Sequence, residues 1–97
     1  MSRDFNNQPI GAIIKEWIKQ RGLEKKMMRV DAITTYREVV GDFISKHTTK
    51  AEIFGKTLSV SIDSGVIKQE LSMNRQSIVQ QINEKMGQAV IDRIEIW

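Results

Sequence analysis

Residues 50–62 leave this chain little choice of local structure. Apolar and polar side chains alternate on both sides of Gly55-Lys56, and a period of two belongs to a strand with one face on a core. A two-residue loop with glycine first is the signature of a type II′ hairpin turn. Counting back from that turn sets Ile53 opposite Leu58, Ala51 opposite Val60 and Thr49 opposite Ile62 on one face. Lys50, Glu52 and Phe54 share the other face with Ser61, Ser59 and Thr57. A slip of one residue would turn every side chain over, so the register is strongly specified. Phe54 is the one large apolar group on the outer face, which makes it a candidate contact.

Helical patterns flank the hairpin. Ile10, Ile13, Ile14, Trp17 and Ile18 recur at spacings of three and four, the stripe of an amphipathic helix with Trp17 in the core. Asn6 or Asn7 can cap it, Pro9 suits its first turn and Gly22 its end. A second helix is expected from Glu24 or Lys25 to about Lys46, on a stripe of Met27, Val30, Ile33, Tyr36, Val40 and Phe43 or Ile44. Gly41 interrupts it, marking either a bend or a close backbone approach. His47, just beyond, reads as a surface or capping residue.

The third helical region opens at Asp63 or Ser64 and closes at Gly87, with Ile67, Leu71, Ile78, Ile82 and Met86 on its stripe. Uninterrupted, it would run ~33 Å beside strands of ~20 Å. Asn74 would also fall in the middle of its apolar stripe. A break near Ser72–Arg75 answers both points. A last strand over Val90–Trp97 points Ile94 and Ile96 inward. A helical crossover makes that strand parallel to the second strand if the two pair, and antiparallel to the first if it lies there instead. The fold class is therefore α+β, in the order α-α-β-β-α-(α)-β, with a three-stranded mixed or antiparallel sheet covered by helices on one face.

Ninety-seven residues are expected to make a single domain, with polar residues 1–8 as a flexible lead-in. No apolar run approaches the length of a membrane span, and the first residues lack the apolar segment of a signal peptide. The chain has no cysteine, hence no disulfide framework or thiolate metal site. A cytoplasmic protein is expected. Its charge is unevenly divided: residues 1–50 carry ten Lys/Arg against six Asp/Glu, and residues 51–97 five against six. Lys15, Lys19, Arg21, Lys25, Lys26 and Arg29 concentrate the excess, opposed nearby by Glu16 and Glu24. Such a patch attracts phosphate backbones or an acidic protein surface, or is simply a solvated helix face.

Several of these residues together resemble the DciA-type family of bacterial proteins. The resemblance rests on Tyr36 followed by Val39-Val40-Gly41, on Ile44 followed by His47-Thr48, and on the glycine turn with Leu58-Ser59-Val60-Ser61-Ile62. Val66 to Leu71, Asn83 before Gly87, and the closing strand Val90–Ile96 complete it. It implies a KH-like fold, association with the replicative DNA helicase during loading or activation, and some affinity for DNA. Where the family usually has tryptophan this chain has Tyr36, and larger relatives add a basic tail beyond the folded domain. True KH domains clamp a nucleic-acid backbone with a Gly-x-x-Gly loop between two helices. No two of the six glycines here are three apart, so sequence-reading of that kind is not expected.

Two functions from different classes follow. The first is a non-enzymatic interaction module of DNA replication that associates with the replicative helicase and has weak, sequence-independent DNA affinity. The alternative is a general KH-like binder of RNA or single-stranded DNA. An enzyme is not expected: one imidazole, no thiol and scattered carboxylates offer no pair that a motif would activate. No cofactor, metal site, small-molecule substrate or membrane partner is called for.

Overall fold

The computed structural model describes residues 23–97. The first expected helix, with Trp17, Lys15, Lys19 and Arg21, lies outside the described residues. Over those described, the order is α1 (Glu24–Val40), α2 (Asp42–Lys46), β1 (Thr48–Phe54), β2 (Thr57–Ile62), α3 (Gly65–Met73), α4 (Arg75–Met86) and β3 (Arg93–Ile96). The fold is α+β with a three-stranded mixed sheet in the order β1-β2-β3. β1 and β2 are antiparallel, while β3 joins the far side of β2 in parallel.

The hairpin has the expected register from Phe54↔Thr57 through Ile53↔Leu58 and Ala51↔Val60 to Lys50↔Ser61. Gly55 has φ +62°, and no residue other than glycine has positive φ among those described, which fits a type II′ turn. Ile53, Leu58, Val60 and Ile62 are buried, and Phe54 is 63% exposed. One pairing differs from expectation. A bulge after Thr48 sets Thr48, not Thr49, opposite Ile62, because an extra residue re-aims the side chains that precede it. Thr48 is consequently buried and Thr49 exposed.

That bulge serves a buried polar chain. The Tyr36 and Thr48 hydroxyls lie 3.0 Å apart, and Thr48 Oγ1 donates to the Ile44 carbonyl at 2.9 Å. With its hydrogen so engaged, Thr48 accepts from Tyr36, whose side chain is fully buried. Burial is the main reason the Tyr36 phenol is pushed above its usual value; the charge of Arg37 pulls it partly back.

Gly41 bends the chain between α1 and α2 with φ +89° and ψ 167°, a region open essentially only to glycine. A Cβ there would meet nothing within 4 Å, so backbone conformation, not close approach, requires the glycine. Arg37 spans the bend, donating from Nη1 to the Ser45 carbonyl at 2.9 Å and to Ser45 Oγ at 3.0 Å. The expected stripe of one long helix is corrected accordingly. Met27, Val30 and Phe43 are exposed, whereas Ala32, Thr35 and Tyr36 are buried, with Met28, Ile33 and Val39 partly so. Residues beyond the bend cannot set the phase of α1. Thr35 tolerates burial because its hydroxyl donates to the Asp31 carbonyl at 2.8 Å and also meets Met86 Sδ at 3.4 Å.

The third helical region does break, at Asn74. Asn74 is exposed there and donates from Nδ2 to the Glu70 carbonyl at 2.8 Å. Ser64 caps α3, and Gly87 ends α4 in the left-handed conformation with φ +76°. Ile67, Leu71, Ile78 and Ile82 press on the inner sheet face, where Val90, Ile91 and Ile94 complete the core.

Candidate functional site

The end of the molecule at the hairpin turn collects three cations from two separate segments. Lys25 and Arg29 project from the first turns of α1, and Lys56 stands in the β1–β2 turn. All three line one depression of about 420 Å³, together with Glu24 and the loop 88–90. Lys25 and Arg29 are four residues apart and so share a helix face. Lys26, on another face, is exposed but does not line the depression. Thus the structure joins two of the candidate cations, sets Lys26 beside them, and adds Lys56. Sequence reasoning passed over Lys56 because the second half of the chain balances acidic; its position in a protruding turn was the available signal.

The loop that forms the floor of this depression is held by Asn83. Its Oδ1 accepts from the Val90 and Ile91 amides at 2.9 and 3.1 Å, while Nδ2 donates to the Ile91 carbonyl at 2.8 Å. One side chain therefore fixes three backbone groups of the α4–β3 connection and brings it against the turn. The Asp92 amide then donates to the Lys56 carbonyl at 2.8 Å, fastening the loop to the hairpin.

The outer sheet face adjoins this end. Phe54 is its large apolar group on β1, and Arg93 donates from Nε to Thr57 Oγ1 at 3.0 Å on the same row. Trp97, 64% exposed, lies on that face too, with its indole N–H donating to Ser59 Oγ at 3.0 Å. Period-two alternation from Ile94 and Ile96 already implied an outward Trp97, though the sequence reading did not draw that consequence.

His47 serves the frame. Its Nδ1 is 2.7 Å from Asp63 Oδ1, and the Asp63 amide donates to the His47 carbonyl at 3.1 Å. Together these tie the start of β1 to the end of β2. Among the described residues there is no group of three or more His, Cys, Asp or Glu side chains placed to hold a metal ion. None of their helices is long and apolar enough to cross a membrane.

The family described as "Dna[CI] antecedent, DciA" matches residues 9–96 of the chain. Among curated proteins, the chain is 29% identical over 90 residues to a UPF0232 protein of Corynebacterium glutamicum, covering 93% of this chain and 51% of that one. It is also 29% identical over 93 residues to a UPF0232 protein of Rhodococcus jostii, covering 96% and 50%. A Mycolicibacterium smegmatis protein named for the recF-gyrB intergenic region is 27% identical over 89 residues, covering 92% and 46%. The chain spans about half the length of the curated relatives it matches.

Proposed function

This chain belongs to the DciA family, and on that premise we propose that it is a non-enzymatic module serving the loading or activation of the replicative DNA helicase. The family match over nearly the whole chain carries this reading. We also propose that the hairpin-turn end touches DNA through phosphates. Lys25, Arg29 and Lys56 supply point charges from two segments but no ordered set of groups to read base edges. Binding of that kind is weak, tolerant of sequence and steeply salt-dependent. Contact with the helicase falls to surfaces that depend less on salt, such as the outer sheet face with Phe54 and Trp97, since aromatic side chains anchor protein interfaces.

Two measurements test the halves separately. The replicative helicase should be recovered with this chain from nuclease-treated native extract. Failure to recover it would remove the helicase reading. Fluorescence anisotropy with single-stranded and duplex DNA should show binding that weakens as salt rises. Replacing Lys25, Arg29 and Lys56 with alanine should lower affinity and reduce the salt slope by up to about one unit per lost phosphate contact. A triple variant that binds DNA like the parent at low salt would take the hairpin-turn end out of consideration. The same variant losing the helicase instead would make this end a protein-docking surface.

A further inference from the structure

We propose that the open edge of β3, beneath α4, accepts an extended segment of a protein partner as a fourth strand. β3 ends the sheet, so its outer side has no strand beside it among the described residues. In a parallel ladder, alternate residues turn both backbone groups to the same neighbour. Trp97 turns both to β2: its N–H donates to the Val60 carbonyl and its C=O accepts from the Ile62 amide, each at 2.8 Å. By the same alternation Glu95 and Arg93 face β2, which aims the N–H and C=O groups of Ile94 and Ile96 at the open edge.

That edge forms one wall of a groove of about 1020 Å³, and α4 forms the other through Arg75, Val79, Asn83 and neighbouring residues of the same face. α4, at 12 residues, is ~18 Å long, and four residues of β3 span ~13 Å. The groove is therefore long enough for one strand of four or five residues. An added strand gains main-chain hydrogen bonds from the edge and specificity from alternate side chains. Protective devices on the edge are modest: the strand is short, and its charged residues belong to the sheet face.

Charge decides the class of occupant. Glu84, Asp92 and Arg75 rim the groove on the α4 and loop side, while Glu95 and Arg93 border it from the strand with their side chains on the outer sheet face. None of the five belongs to an ion pair among the described residues. Three carboxylates against two guanidinium groups repel a phosphate backbone and favour a peptide that carries lysine or arginine. A strand-forming segment alternating basic with β-branched residues matches both the edge and its rim. This inference is independent of the DNA contact proposed at the hairpin-turn end, whose cations Lys25, Arg29 and Lys56 are not among the groove's lining residues, although Gln88 and Ala89 border both.

The test is a titration of isotope-labelled protein, followed by amide NMR, with a capped hexapeptide alternating lysine and valine. Three companion probes are its glutamate counterpart, a version N-methylated on alternate residues, and oligothymidine. The lysine peptide should shift and protect the Ile94 and Ile96 amides from exchange. N-methylation removes the donors that meet the edge and should weaken binding about tenfold or more. Glu84→Lys with Asp92→Lys, both at exposed positions, should weaken the lysine peptide and strengthen the glutamate one. No change at Ile94 and Ile96 up to millimolar peptide would overturn the proposal, as would equal binding of the N-methylated peptide. Oligothymidine moving these same amides while peptides do not would assign the groove to nucleic acid instead. Loss of helicase recovery leaves these shifts unaffected, so the two readings fail separately.

Discussion

The buried hydroxyl chain from Tyr36 through Thr48 to Ile44 makes a sharp quantitative prediction, because its two ends are not equivalent. Tyr36→Phe removes the terminal donor but leaves Thr48 donating to the Ile44 carbonyl. The cost is the net value of one hydrogen bond, about 0.5–1.5 kcal/mol. Thr48→Val keeps the shape but strands the Tyr36 hydroxyl at a site with 0% exposure, a desolvation cost of about 1–3 kcal/mol. The Ile44 carbonyl keeps a partner in either case, since the His47 amide also donates to it at 3.1 Å. In the double variant no hydroxyl is stranded. Its cost should therefore fall below that of Thr48→Val alone, leaving a coupling of about 1 kcal/mol or more between the sites. Urea unfolding of all four proteins, with m held constant, measures the cycle. For a domain of this size a 1 kcal/mol change moves Tm by roughly 4–8 °C. Strict additivity, or Tyr36→Phe costing more than Thr48→Val, would refute the directed chain.

The same phenol gives a pH prediction that is easy to read, because Tyr36 is the only tyrosine. Its folded value is raised, chiefly by burial, so the unfolded chain ionises first. Stability from this group is intact below the unfolded value of about 10 and is lost as pH rises beyond it. Phenolate absorbance should appear together with the loss of circular dichroism, and Tyr36→Phe should remove the tyrosine share of that alkaline loss. Gly41→Ala should cost about 1–3 kcal/mol by denaturant unfolding, since the strain lies in the backbone and no space limits the methyl group. For Asn83→Ala, three backbone groups of the α4–β3 loop lose their partner, with an expected cost of about 2–4 kcal/mol and faster exchange of the Val90 and Ile91 amides. Unchanged exchange at those amides would show that the loop is held by other means. Leu58→Ala, at a fully buried position, should cost about 2–5 kcal/mol through lost burial and a residual cavity.

Local periodicity determined much of this protein. The hairpin register, its turn, the caps at Ser64 and Gly87 and the inward Ile67, Leu71, Ile78 and Ile82 all depend on neighbours within a few residues, and the alternation wrote them plainly. The break at Asn74 was legible too, from a polar side chain out of place in an apolar stripe. Several elements of the family resemblance turn out to be architectural. Tyr36, Gly41, Ile44 and Thr48 build the joint between α1 and β1, and Asn83 with Gly87 builds the turn into β3.

What the tertiary structure decided involves groups distant in sequence. The phase of α1 came from packing against α4, where Ala32 and Thr35 fit a close approach that larger apolar residues would not. Thr48 took the inward position because Tyr36 and Ile44 offered its hydroxyl two partners, a compensation that no strand pattern encodes. Lys56 joined Lys25 and Arg29 only once the hairpin folded against the start of α1 and the 88–90 loop. The placement of β3 beside β2 likewise left one strand edge open under α4. Burial patterns report which face of an element is covered; they carry no record of what covers it, and the candidate contacts of this protein lie where separate elements meet.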